Sequence, residues 1–388
     1  MPRLTIYDRR ERALVAAADA LLWPAGLRRV FRRRDPAPPQ RILCCRLERI
    51  GDLLMAGPAL AELRALAPDA SIDLVVGSWN REIATALPGV DRVETLDANW
   101  LAREGAGSGP LGLALQTARW RSRRYDLAIN FEPDIRTNIA VAAAGARRSV
   151  GFASGGGGAL LDVALDYDAS AHTVDNARRL VHVAIGRPPE RSVEWALRIP
   201  EAKRADATRR LAPFHGALKI GMHVSGGRAI KQWPETRFRE VAERLVRERS
   251  AAIVLTGARA DRAQVEIVRT ALPPDHVLDL SGDIDLLTAA AAIEQLDLFV
   301  TGDTGPMHLA NAVGTPVVAV FGPSDPRRYA PRGVRDTVVR IDLPCSPCNR
   351  IRTPPERCAG HTPDCLSGID VARVLAAIDE TLQPGAAR

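Results

Sequence analysis

Two loops in this chain combine the residue types that can hold a diphosphate. The first lies in TGDTGPMHLANAVGTPVVAVFG (301–322), between the apolar runs LDLFV and VVAVF. That pattern predicts a buried strand, a corner, a helix and a second buried strand. A helix starting at Thr304–Pro306 presents unpaired backbone N–H groups and the positive end of its dipole, which suits a phosphate. Gly305 lets an anion approach the backbone, and Thr304 can cap the helix or donate its hydroxyl. His308, four residues on, shares that face and could donate to a phosphate oxygen. Asp303 would repel a phosphate and fits a sugar hydroxyl better. The same residues would also make an ordinary helix cap with a structurally satisfied histidine. A DTG triplet belongs to aspartic proteases too, but their catalytic loops sit in β-rich proteins and this stretch is α/β.

The second loop is HVSGGRAIKQWP (223–234), again after a buried strand. Ser225, Gly226, Arg228 and Lys231 bring glycines and cations together, the combination that neutralises a pyrophosphate. Only three lysines (203, 219, 231) stand among 53 basic residues, so Lys231 is conspicuous. Trp233 could flank a nucleotide or pack in the core. Two anion-binding strand ends fit a nucleotide diphosphate better than either fits alone. Neither is a Walker loop, and no GxGxxG follows the first strand, so ATP hydrolysis and NAD binding are disfavoured.

A candidate acid–base residue lies far upstream. In LERIGDLLMAGPAL (47–60), Asp52 follows Gly51, where a sharp turn could expose a carboxylate. A carboxylate there could take a proton from an acceptor hydroxyl, or could simply cap the next helix.

These residues need a scaffold, and the chain repeats one. RILCCR, SIDLVVG, RVETL, YDLAINF and RRSVGF alternate with helical patterns over the first part of the body. KIGMHV, AAIVLTG, HVLDLSG, LDLFVTG and PVVAVFG form a second series. Alternation of this kind predicts an α/β fold of two Rossmann-like, doubly wound domains facing a central cleft, joined near 186–215. Ligands in such sheets lie beyond the carboxyl ends of the strands. The expected division is a basic helical extension and linker (1–40), an acceptor domain (41–190), a donor domain (191–368) and a last helix (369–388) able to return to the first domain. Pro58 is expected near the first turn of its helix, and GSGP (107–110) and SGGGG (154–158) as flexible loops.

Composition narrows the partners. The chain has 388 residues and a net charge of +7. Residues 1–40 hold nine arginines against four acidic residues, a net +5, so the body is nearly neutral. With 4% aromatic residues as well, nucleic acid is disfavoured. ALVAAADALLW (13–23) is too short to span a membrane and is interrupted by Asp19, which points to a cytoplasmic protein. The basic segment 1–34 reads either as a foot on anionic lipid at the inner membrane face or as a solvated helix packed on the body.

Six cysteines are present. Cys44 and Cys45 belong to a buried strand. Cys345, Cys348, Cys358 and Cys365 fall within 21 positions of a Pro-rich loop (345–365), a spacing that suits a structural zinc or iron better than disulfides. His361 could substitute as a ligand.

RLERIGDLLMAGPALAELRALAPDASIDLVVG, HVSGGRAIKQWPETRF and TGDTGPMHLANAVGTPVVAVFGPSDP together resemble glycosyltransferase family 9, the bacterial heptosyltransferases, over roughly residues 41–380. The resemblance implies a GT-B fold and a metal-independent, inverting transfer from a nucleotide-diphosphate sugar. In the best-known members the donor is ADP-heptose and the acceptor the lipopolysaccharide inner core. It implies Asp52 as base, Lys231, Thr304 and Gly305 on the diphosphate with His308 close by, and Asp303 on the heptose. Some members that modify autotransporters carry a cysteine-bound iron near this region. The basic extension departs from the family pattern. A nucleotide-sugar epimerase of the same fold and a non-catalytic nucleotide- or glycan-binding scaffold are the alternative readings.

Overall fold

The computed structural model describes Leu4, Ile6 and residues 8–27, 37–97, 110–351 and 354–383. The arginines at 28–34, residues 35–36 of the linker and most of GSGP lie outside the described residues. Two compact units result, Met1–Trp195 and Ala196–Arg388.

In the first unit the strands are β1 (Arg41–Cys45), β2 (Ser71–Val76), β3 (Arg92–Thr95), β4 (Leu127–Asn130), β5 (Arg148–Phe152) and β6 (Val163–Leu165). They form one parallel sheet in the order β3-β2-β1-β4-β5-β6. Its helices are α1 (Arg9–Leu22), α2 (Ile50–Leu66), α3 (Arg81–Ala86), α4 (Pro110–Arg121), α5 (Ile135–Ala143) and α6 (Thr173–Ile185). β1 is apolar without alternation, and Ile42 to Cys45 are all buried, as a strand covered on both faces requires. Cys44 and Cys45 are therefore core.

Helix α2 is buried almost all round, so it is an inner helix and not an amphipathic surface one. Pro58 is its ninth residue, not part of its first turn: Gly51 adopts helical geometry, and the helix begins two turns earlier than expected. Buried Glu62 on α2 salt-bridges Arg178 at 3.0 Å and meets His182 Nε2 at 2.8 Å, which ties α2 to α6.

The second unit repeats the plan. β7 (Lys219–His223), β8 (Ala252–Thr256), β9 (Val277–Asp279), β10 (Leu298–Gly302), β11 (Val317–Val320) and β12 (Thr337–Val339) are parallel, in the order β12-β11-β10-β7-β8-β9. Its helices are α7 (Glu201–Leu211), α8 (Glu235–Arg249), α9 (Arg262–Arg269), α10 (Leu286–Glu294), α11 (Gly305–Ala312), α12 (Pro326–Tyr329), α13 (Asp364–Ser367) and α14 (Val371–Leu382). The last helix packs on α8 and on β10, β11 and β12. Its buried stripe, Val371, Val374, Ala377, Ile378 and Thr381, faces that sheet. Trp233 is core as well: it stacks edge-on against Phe238, and its indole N–H donates to the Ile369 carbonyl at 3.1 Å. Among the described residues no helix is long and apolar enough to cross a membrane.

The glycine run 154–158 is not a flexible loop. It is buried, and a Cβ on Gly155 would stand 1.8 Å from the Pro133 carbonyl oxygen. Only glycine lets this segment press against the loop after β4. Gly155→Ala is therefore expected to lower stability by on the order of 1–3 kcal/mol, read as a shift in the midpoint of chemical denaturation.

Candidate active site

β7 and β10 are neighbours, and strand order reverses between them. The loops leaving such a pair diverge and leave room for a ligand beyond their carboxyl ends. Both diphosphate-binding candidates of the sequence lie there. Gly226 belongs to the loop after β7 and Thr304 to the corner after β10, and a Cβ on Gly226 would lie 3.4 Å from Thr304 Cγ2. The Gln232 side chain donates to the Gly226 carbonyl at 2.6 Å and holds the loop's bend.

Lys231 Nζ lies 2.6 Å from Asp303 Oδ2. The contact is an ion pair without hydrogen-bond alignment, and this buried oxygen takes no aligned hydrogen bond. Thr304 is the N-cap of α11 but does not cap it with its side chain, and its hydroxyl pairs with Thr301 Oγ1 at 3.1 Å. Gly305 and Pro306 open the helix. His308 stands one turn further on, buried. Ser225 is buried with Oγ 3.1 Å from His223 Nε2, while Arg228 is exposed. Burial holds the His223 pKa down and favours the neutral imidazole. The corner thus carries one ammonium, an uncapped helix N-terminus and one carboxylate oxygen that is ion-paired without an aligned hydrogen bond.

In the first unit the corresponding reversal lies between β1 and β4. Asp52 is there, but Gly51 makes no turn. Arg49 is the N-cap of α2, which puts Asp52 in the first helical turn, neither in an exposed corner nor at the cap. Its carboxylate is half-buried and held by a residue that sequence reasoning missed. Arg46, buried at the end of β1, donates from Nη2 to Asp52 Oδ1 at 3.2 Å and from Nη1 to the Phe131 carbonyl at 2.6 Å. Nη2 also salt-bridges Glu48 at 3.1 Å. Burial works against the Arg46 charge, but Glu48, Asp52 and Glu132 outweigh it and hold the guanidinium protonated.

Glu132, also missed, lies in the loop after β4 and is buried. Its Oε1 accepts the backbone N–H groups of Leu47 and of Glu48, the latter at 2.7 Å. This carboxylate thereby fixes the loop that carries Arg46 and leads into α2. Burial, then the Glu48 charge, push the Glu132 pKa up to about 8. The lone cation directly after a buried strand, RILCCR, was the available signal for Arg46. Glu132 left none, because its partners are more than eighty residues away.

The four-cysteine metal knuckle expected from spacing is not assembled. Cys345, Cys348, Cys358 and Cys365 are free, with Cys345 exposed and Cys365 buried. Among the described residues no group of three or more His, Cys, Asp or Glu side chains could hold a metal ion. Cys365 lies on α13 and is buried beside Leu366, which is core. The Cys365 pKa is pushed up to about 11, first by burial and then by the charges of Cys348, Cys345 and Cys358. His361 turns its Nδ1 to the Ala359 carbonyl at 3.3 Å.

The family model for glycosyltransferase family 9 (heptosyltransferase) matches residues 117–358. Lipooligosaccharide heptosyltransferase 2 of Haemophilus influenzae is 23% identical over 311 residues, covering 75% of this chain and 86% of that one. Lipopolysaccharide heptosyltransferase 1 of Pseudomonas aeruginosa is 26% identical over 332 residues, 79% and 86% of the two chains. The crystal structure of a family 9 glycosyltransferase from Veillonella parvula superposes with a TM-score of 0.75 at 24% identity, covering 88% of this chain and 97% of the other.

A pH prediction follows from Glu132. Its folded pKa of about 8 exceeds its ordinary 4.5. Between those values the unfolded chain loses a proton that the folded protein keeps, so stability falls as pH rises through this window. Glu132→Gln removes the ionisation. The variant should gain stability relative to wild type steadily from pH 5 to pH 8 (about the window those pKa values set), read from denaturation midpoints of both proteins.

Proposed function

Because the chain belongs to glycosyltransferase family 9, we propose that it transfers heptose from ADP-heptose to a lipopolysaccharide-core or related glycan acceptor. The alternatives of an epimerase and a non-catalytic scaffold give way to that membership: the chain is a glycosyltransferase. The observation that carries the donor reading is the meeting of Lys231, Asp303 and the N-terminus of α11 at one strand-order reversal.

In this reading Lys231, Arg228, Ser225, Gly226, Thr304 and Gly305 surround the diphosphate, with His308 beside it. Asp303 Oδ2, which lacks a hydrogen bond, accepts one from a sugar hydroxyl. The acceptor hydroxyl oxygen attacks the anomeric carbon and inverts it, while the bond to the diphosphate oxygen breaks. Asp52 takes the hydroxyl proton through the oxygen that Arg46 leaves free. The helix N-terminus and Lys231 offset the charge that develops on the leaving diphosphate. No metal is needed in this scheme.

One finer point belongs to the same proposal. A lipid-anchored acceptor would place the enzyme on the inner face of the cytoplasmic membrane, with residues 1–34 as its contact.

The central test uses ADP-heptose and two variants. Lys231→Ala should weaken donor binding by about tenfold or more, in line with a lost charge-assisted contact. Asp52→Asn should bind the donor normally yet lower kcat by about 10²–10⁴-fold. Normal turnover in Asp52→Asn would sink the assignment of the base.

A further inference from the structure

Helix α1 rests on the first unit by one stripe and leaves another uncovered. Val15 is buried and Ala18, Asp19 and Leu22 are half-buried, the i, i+3, i+4, i+7 spacing of a single helix face. That face is pinned to the glycine run: Asp19 accepts the Gly157 N–H, and a Val15 methyl occupies the space a Cβ on Gly156 would need. Leu14 and Leu21, seven positions apart and so in line along the helix, are 73% and 82% exposed, and Trp23 just beyond them is 62% exposed. Among the described residues only three other large apolar side chains are exposed, Leu115, Ile139 and Val334, so half of the six fall within ten positions. Exposed apolar groups scattered singly are ordinary, whereas a concentration such as this marks a contact surface.

Charge says what covers it. Arg9, Arg10 and Arg12 are exposed at the head of the same helix, and residues 1–40 carry a net +5 while the rest of the chain is nearly neutral. Leucines able to enter an acyl layer, a tryptophan at interface depth and arginines that reach lipid phosphates are the components of an interfacial helix. An acidic protein surface would use the arginines but would leave the leucines in water.

We propose that α1 is a rigid foot for an anionic lipid bilayer, with Leu14, Leu21 and Trp23 inserted and the arginines on the headgroups. This deepens the acceptor reading above and rests on it for its purpose. The foot is joined to the candidate base through buried hydrogen bonds. Asn138 Nδ2 donates to the Gly156 carbonyl at 2.7 Å, and Asn130 Nδ2 donates to Asn138 Oδ1 at 2.7 Å. Asn130 Oδ1 accepts the Glu132 N–H at 3.1 Å, and Glu132 holds the loop that carries Arg46. A surface gripped by α1 would therefore sit at a fixed height relative to Asp52.

The test is co-sedimentation of the full chain with phosphatidylcholine vesicles, with and without phosphatidylglycerol. Wild type should pellet with the anionic vesicles only. The triple change Leu14→Glu, Leu21→Glu and Trp23→Glu should weaken partitioning by about tenfold or more, and so should Arg9→Gln with Arg10→Gln, a milder change to exposed side chains. ADP-heptose binding, measured in parallel, should be unaltered in both variants and serves as the control for folding. Equal pelleting with neutral vesicles, or full anionic binding by both variants, overturns the foot. Loss of ADP-heptose binding by wild type would instead sink the transferase reading and leave the vesicle result standing on its own.

Discussion

The arrangement of this protein depends on where strand order reverses in a parallel sheet. At β1 and β4, and again at β7 and β10, adjacent strands send their chains onward in opposite directions. The loops separate, and a space opens beyond the strand ends with helix N-termini beside it. Every residue assigned a chemical role stands at one of these two places. The rest of each unit, including the near-total burial of α2 and the packing of α14 on the second sheet, serves to keep those strand ends in register.

The two reversals handle charge in opposite ways. In the first unit one buried guanidinium faces Glu48, Asp52 and Glu132, an excess of negative charge that is relieved when Glu132 keeps its proton. The result is a carboxylate with one oxygen tethered and the other available. In the second unit the ammonium and carboxylate are matched one to one, but Lys231 and Asp303 touch without hydrogen-bond alignment. In the proposed reaction that pair exchanges partners when a polyanion and a hydroxyl arrive together.

Local pattern revealed the strands that carry the site, because buried parallel strands are continuous apolar runs and their ends are marked by glycine. The short edge strands β6 and β12 escaped notice: three residues of partly buried chain carry too little pattern. Gly51 suggested a turn where the chain is helical, since a glycine in a buried helix and one in a corner look alike in sequence. Gly155 suggested freedom where the Pro133 carbonyl demands closeness. Arg46 and Glu132 become partners only when β1 pairs with β4, which a linear reading cannot supply. The cysteine spacing was plain, yet it carried no information on Cys365 being buried on α13.

Under the proposed donor reading, the Asp303 oxygen, ion-paired but without an aligned hydrogen bond, has a consequence for molecules made to occupy that site. A buried acceptor left without a donor costs about 1–3 kcal/mol, or roughly ten- to a hundredfold in affinity. A mimic without that hydroxyl would leave the oxygen with Lys231 alone, and the lysine is then shared with the diphosphate. An inhibitor that presents an N–H or O–H there recovers the same term in its favour, whatever the remainder of its scaffold.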